Sequence, residues 1–223
     1  QLAEKVLFFA ETLFINRKST GTYNFVAMSL NTPGASYEGA PNAYPKVGPI
    51  VINEIMYNPL SGDQLAEYIE LYNITGADVN LYDDQDNPWK FTDGIDFTFP
   101  ADANIPACGY LLVVKDAATF TSEYGSMPAG VGVLGPYGGQ LSNGGEKVEI
   151  GMPGDVDQYG TPYYIRIDRV NYSDGSHPRD CPAGPDLWPT EPDGNGLSLK
   201  RIDPNLYGND VINWDASVPS PGG

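Results

Sequence analysis

Apolar residues recur along most of this chain in short runs, often at every second position, and turn residues close the runs. Ile50 to Met56 is one such run, interrupted on its apolar side by Asn53 and Glu54. Glu67 to Asn73 alternates, with Ile69 and Leu71 on the face of Glu67 and Tyr68, Glu70 and Tyr72 on the other. Short strands are predicted at Val79 to Leu81, Trp89 to Thr92 and Ile95 to Phe99. Pro100 to Gly109 is a turn-rich break. Tyr110 to Lys115 is a strand of the kind buried on both faces. Asp116 to Tyr124 is the one predicted helix: Asp116 caps it, Ala117 and Ala118 favour it, and Gly125 ends it. Leu141 to Gly145 reads as a turn. Glu146 to Ile150, Tyr163 to Tyr172 and Gly196 to Ile202 read as strands. Strands spaced by roughly 8–12 residues imply an all-β, two-sheet β-sandwich with one short helix. Its expected core is Ile52, Ile69, Leu71, Leu112, Val114, Val148, Ile150, Ile167, Leu197 and Leu199.

The first part of the chain reads differently. Val6 to Ile15 is apolar and fits one buried helix turn or two strands. Gly21 to Leu30 is β-like and stops at Thr32-Pro33-Gly34. A Gly-, Pro-, Ser- and Tyr-rich stretch then runs to Pro49. The expected division is 1–45, strands plus linker, and 46–223, the sandwich. Leu13 to Ala35 also resembles Leu197 to Gly222. Leu13 aligns with Leu197, Arg17 with Arg201, and Pro33-Gly34 with Pro221-Gly222. The N-terminal part thus reads as the end of a preceding copy; chance similarity between two Gly/Pro-bounded strands is the alternative. Such a segment must pair its strand with its own sandwich or with another copy, as in donor-strand complementation.

Composition narrows the function. The net charge is −17, from 12 basic and 29 acidic residues, which excludes a basic footprint for nucleic acid or an anionic membrane surface. Gly 26 and Pro 20 leave little room for long helices. One His and two Cys are too few for His- or Cys-based zinc or iron–sulfur sites. No apolar run approaches the ~20 residues of a membrane span. No leader pattern is visible, and Gln1 fits a new terminus left by processing or cloning.

Several residues are candidates for chemistry. Glu54 and Glu70 face the same way across adjacent strands, as a glycosidase pair would, or as strand-face partners of Arg169, Lys200 or Arg201. His177 follows Asp174 and Ser176, but neighbours on one loop do not converge as a triad. Asp83, Asp84, Asp86 and Asn87 pack oxygen ligands into one loop and are the first candidates for calcium. Asp155-Val156-Asp157 and the acidic stretch from Asp174 to Asn195 follow; a solvated acidic surface is the alternative. Tyr159, Tyr163, Tyr164, Trp188 and Tyr137 are candidates for an aromatic face holding a glycan or a partner. Asn73-Ile74-Thr75 and Asn171-Tyr172-Ser173 are glycosylation sequons at strand ends.

Residues 50–223 resemble the lamin tail domain, most closely its secreted bacterial and archaeal relatives. The likeness rests on VINEIMYNP (Val51 to Pro59), EYIELYN (Glu67 to Asn73), Trp89-Lys90-Phe91 with Asp93-Gly94, and IPACGYLLVVKD (Ile105 to Asp116). It continues through Phe120, LSNGGEKVEI (Leu141 to Ile150), RVNYSDG (Arg169 to Gly175), LWPTEPDGNGLSLKRIDP (Leu187 to Pro204) and NWDASVPSPG (Asn213 to Gly222). The resemblance implies an immunoglobulin-like sandwich and a non-catalytic interaction module of a secreted or surface protein; the N-terminal strands add the expectation of self-assembly. A carbohydrate-binding module beside a secreted enzyme is the alternative. Ser176 to Asp186 looks like an insertion, and Cys108 stands where the family usually has Gly. Pairing Cys108 with Cys181 would tie the insert to the sandwich in an oxidising compartment; two free thiols are the alternative.

Overall fold

A computed structural model describes residues 45–177 and 185–223, together with the backbone of strands 12–16 and 23–27. The chain divides into two compact units, residues 1–47 with 177–186, and residues 48–176 with 187–223. In the first unit, β1 (Thr12–Asn16) and β2 (Tyr23–Ala27) form an antiparallel hairpin. The rest of the Val6 to Ile15 run, and Thr32 to Gly34, lie outside the described residues.

The second unit is the expected sandwich. Its strands are β3 (Ile50–Met56), β4 (Tyr68–Asn73), β5 (Val79–Asn80), β6 (Lys90–Asp93), β7 (Asn104–Ile105), β8 (Tyr110–Val114), β9 (Gly132–Leu134), β10 (Lys147–Val156), β11 (Pro162–Asn171), β12 (Ser198–Arg201) and β13 (Trp214–Ser217). One sheet has the order β13-β12-β3-β4-β8-β9; the other has β11-β10-β6; β5 and β7 pair alone. All neighbours are antiparallel except β8 and β9. The helix α1 (Ala117–Tyr124) starts where Asp116 accepts the Thr119 N–H at 2.8 Å and ends at Gly125, whose φ is +82°.

The main core lies between the two sheets and includes Ile52, Ile69, Leu71, Val148, Ile150 and Leu199. A second cluster lies on the outer face of the larger sheet, where Met56, Tyr68, Leu112 and Val114 pack with Phe120 of α1. Leu112 and Val114 are therefore core residues of a different layer from Leu71. The doubly buried strand at 110–115 has both faces covered, one by the opposite sheet and one by α1's cluster. Ile167 and Leu197 are half-buried rather than core.

Asn53 and Glu54 interrupt the alternation of β3 because the strand bulges there. Ile52 pairs with Leu71 and Glu54 with Glu70, so Asn53 is the extra residue. The bulge keeps both Ile52 and Ile55 on the main core and sends Glu54 to the outer face. Strand β10 runs beyond its expected end at Ile150. Gly151 and Gly154 continue it under a close partner: a Cβ would stand 2.9 Å from Thr92 Cγ2 at Gly151 and 3.0 Å from Ile165 at Gly154. Ile95 to Phe99, expected as a strand, is held by single bridges, among them Lys90 with Thr98. β9 and β13 were not expected; both are short edge strands.

Candidate functional site

Four buried polar centres organise the sandwich, and the most elaborate is an acid pair. The bulge at Asn53 and the alternation of β4 place Glu54 and Glu70 opposite one another on the outer face of the larger sheet, both fully buried. Glu54 Oε1 accepts Tyr68 O–H at 2.5 Å, Ser198 O–H at 2.7 Å and Ser220 N–H at 3.1 Å. Its Oε2 accepts Ser220 O–H at 3.1 Å, with Lys200 Nζ 3.9 Å away. Glu70 Oε1 accepts from Asn53 at 2.8 Å, and Oε2 accepts Gly222 N–H at 2.6 Å. Residues 218–222 after β13 thus form a strap over the sheet, held by both carboxylates. Burial pushes Glu70 up to about 7; the Gly222 and Asn53 hydrogen bonds oppose this, and the Glu54 charge adds to it. Burial and the Glu54 carboxylate raise the Tyr68 phenol. This is no glycosidase pair: every oxygen is committed to the fold, and a substrate has no access.

The second centre is Glu67, which accepts Tyr137 O–H at 2.8 Å and Leu141 N–H at 2.9 Å. It fixes the 137–141 loop, and burial raises its pKa. In the third, Asp168 of β11 accepts Arg201 Nη1 at 2.6 Å and Ile52 N–H at 2.8 Å, joining the two sheets. In the fourth, Asn73 donates to the carbonyls of Ala77, Ile105 and Pro106. The Asn73 sequon is thereby accounted for: its amide is fully buried and holds a turn.

Arg201 and Lys200, weighed together as carboxylate partners, separate: Lys200 approaches Glu54, and Arg201 takes Asp168. Arg169 lies 4.0 Å from Glu149. In the other unit, His177 Nδ1 stands 2.6 Å from Asp186 Oδ2. Ser176 N–H donates to Asp174 Oδ1, a local turn contact that forms no triad.

Asp83 accepts the N–H groups of Gln85 and Asn87 and the Asn87 amide, which closes the 83–87 loop and holds its carboxyl below the usual range. Asp86 has φ +60°. Cys108, at φ +53°, is exposed, with its sulfur 3.5 Å from the Thr75 carbonyl oxygen; Cys181 lies outside the described residues.

The aromatic candidates divide. Tyr159 and Tyr163 are 83% and 63% exposed on the projecting β10–β11 hairpin, beside exposed Val156. Tyr164 is half-buried, with Lys90 Nζ 4.2 Å from its ring. The two form one wall of a groove of about 480 Å³ with Phe91, Phe97 and Thr98. Tyr137 and Trp188, expected on an exposed face, are buried. Tyr137 is committed to Glu67, and Trp188 packs against Trp214 at 6.2 Å.

Residues 44–161 match the family model of the Lamin Tail Domain, more than half of the chain. The chain belongs to the lamin tail domain family. The family is immunoglobulin-like and non-catalytic, and this lamin tail domain is accordingly a protein-interaction module. The matched stretch supplies Glu54, Glu67 and Glu70 with the partners Asn53, Tyr68, Tyr137 and Leu141; Ser198, Lys200, Ser220 and Gly222, which serve Glu54 and Glu70, lie beyond it in the same sandwich. The search of curated proteins finds no match.

The structural role weighed for these glutamates holds, but of the cations named only Lys200 approaches one; the sequence alone missed the neutral donors Tyr68, Tyr137, Leu141, Ser198, Ser220 and Gly222. The apolar neighbours of the glutamates were the available signal: a carboxylate inside a strand buried on both sides must be partnered within the fold.

Proposed function

We propose that this lamin tail domain is a non-catalytic extracellular module of a secreted or surface protein, built as a tandem array and able to join copies of itself. One parallel carries the reading. The β12–β13 hairpin precedes Ser220-Pro221-Gly222, and the β1–β2 hairpin precedes Thr32-Pro33-Gly34. The first hairpin with its Thr-Pro-Gly has the form of a domain end, which supports the repeat. A hairpin separated from its own sandwich offers edges to another copy, a head-to-tail contact that does not close. The test is mass by light scattering for the full chain and for the chain lacking residues 1–40. Assembly that the deletion abolishes supports the reading; a full chain that is monomeric at high concentration contradicts self-assembly.

A glycan-binding role is the second reading, favoured by the exposure of Tyr159 and Tyr163 on one hairpin. Retention on insoluble polysaccharide that is lost in Tyr159→Ala and Tyr163→Ala would support it. Calcium at Asp83, Asp84, Asp86 and Asn87 belongs to the extracellular reading, since hard cations take such oxygens. Chelation should then lower the melting temperature and calcium restore it; an unchanged melt removes calcium from the account. A bridge between Cys108 and Cys181 is part of the same proposal, and thiol titration of the unreduced protein tests it.

A further inference from the structure

The second unit is strongly acidic, yet most of its cations gather on one surface. It holds seven Lys and Arg against 24 Asp and Glu. Three of the seven are spent on the fold: Lys115 donates to the Tyr137 and Gly139 carbonyls, Lys200 approaches Glu54, and Arg201 takes Asp168. The other four, Lys90, Lys147, Arg166 and Arg169, lie on the outer face of the smaller sheet. The register puts them there. Phe91, Val148 and Ile150 belong to the main core, so their neighbours along β6 and β10 point outward. Arg169 pairs with Glu149, and Arg166 with Gly151, which pairs in turn with Lys90. Arg166 and Lys90 thus stand two strand spacings apart, about 10 Å, with a glycine between them.

These charges are poorly answered. Only Lys147 is spent, on Asp93. Arg166 and Arg169 share Glu149 at 3.6 and 4.0 Å, beyond hydrogen-bond reach, while that carboxylate accepts the Thr92 O–H at 2.9 Å. Arg169 Nε has no hydrogen-bond partner among the described residues. Lys90 Nζ lies over the Tyr164 ring, on the wall of the 480 Å³ groove that Phe97 and Thr98 also line. Asp96 is the one acid in that lining. Forked guanidinium donors suit carboxylate and sulfate groups, and an aromatic-walled groove suits sugar rings. Four cations in so acidic a unit fall short of a nucleic-acid footprint.

We propose that the outer face of the β11-β10-β6 sheet binds an anionic polysaccharide, with Arg166 and Arg169 taking its carboxylate or sulfate groups and Tyr164 and Phe97 holding its rings. The inference rests on the glycan-binding reading and adds the charge of the sugar and the residues that read it.

Retention of the full chain on polygalacturonate beads, dextran sulfate beads and insoluble cellulose tests it. A chain of net charge −17 repels polyanions over most of its surface, so retention on one reports this face. Wild type should bind one of the two anionic polymers, polygalacturonate if the face reads carboxylates and dextran sulfate if it reads sulfates. Arg166→Gln and Arg169→Gln should each weaken that retention about tenfold, the worth of one charge-assisted hydrogen bond. Lys90→Gln should weaken it too, and decides if an arginine variant fails to fold. Retention on neither anionic polymer overturns the proposal, as does retention unchanged in Arg166→Gln and Lys90→Gln. Retention on cellulose alone overturns it and leaves the glycan reading standing; retention on nothing overturns both. Variants that change the mass by light scattering but not the retention assign the face to another copy, and this also overturns it.

Discussion

Asp168 of β11 and Arg201 of β12 meet at 2.6 Å with both side chains buried, and they belong to opposite sheets. Asp168 also holds the Ile52 N–H, and Arg201 donates to the carbonyls of Ile52 and Leu206. One ion pair therefore ties β3, β11, β12 and the 202–213 loop together. A buried pair contributes little net energy against an apolar replacement, but an orphaned buried charge is costly. Arg201→Met should lower stability by about 3–5 kcal/mol. Arg201→Met with Asp168→Leu should lose less than the single change. Denaturant midpoints of the two variants make the comparison.

Leu71 and Leu112 lie in different apolar clusters on the two faces of one sheet. Alanine at either should cost roughly 2–5 kcal/mol, and the two losses should add, because their cavities share no partners. Chemical denaturation of both single variants and the double variant checks this.

Much of the fold was legible because alternation survives where one face is apolar. β4 and β8 followed the expected phases, and Asp116 and Gly125 bounded the helix as capping chemistry requires. What escaped was set by distant partners. The bulge at Asn53 has no local signature; it exists because Ile52 and Ile55 both belong to the main core. β10 was cut short at Gly151 because glycine reads as a break, whereas here it admits Thr92 and Tyr164. Tyr137 and Trp188 were expected on an exposed aromatic face, yet Glu67 and Trp214 take them inward. The acids were legible as structural residues and Lys200 as a partner, but the strap was not, since Ser220 and Gly222 lie more than 150 residues away.

Glu67 gives the sandwich a pH dependence of definite sign. Its buried carboxyl titrates above 4.5, chiefly through desolvation, with Tyr137 and Leu141 only partly offsetting this. Its Oε1 finds no hydrogen-bond partner among the described residues. A group whose folded pKa is raised contributes stability that is full below its unfolded value and is lost as pH rises through the folded value. Melting temperature should therefore fall as pH rises from 4.5 toward neutrality, with Glu70 acting in the same direction. Glu67→Gln should flatten the profile, and thermal melts across that range test it.

Asn73→Ala removes one amide that serves three backbone carbonyls, including those of Ile105 and Pro106. Leaving buried acceptors unpaired costs about 1–3 kcal/mol. The loss should appear as a lower denaturant midpoint, together with faster amide exchange at Thr75 and Ala77. A glycosylation-competent host should leave Asn73 unmodified.

The central claim is that the buried acids Glu54, Glu67, Glu70 and Asp168 hold the fold of this domain. Denaturant unfolding of Glu54→Ala tests it most directly, because Tyr68, Ser198 and Ser220 all converge on that carboxylate. The account predicts a loss of about 3–5 kcal/mol, the cost of stranding several buried donors. A Glu54→Ala protein as stable as wild type would contradict it.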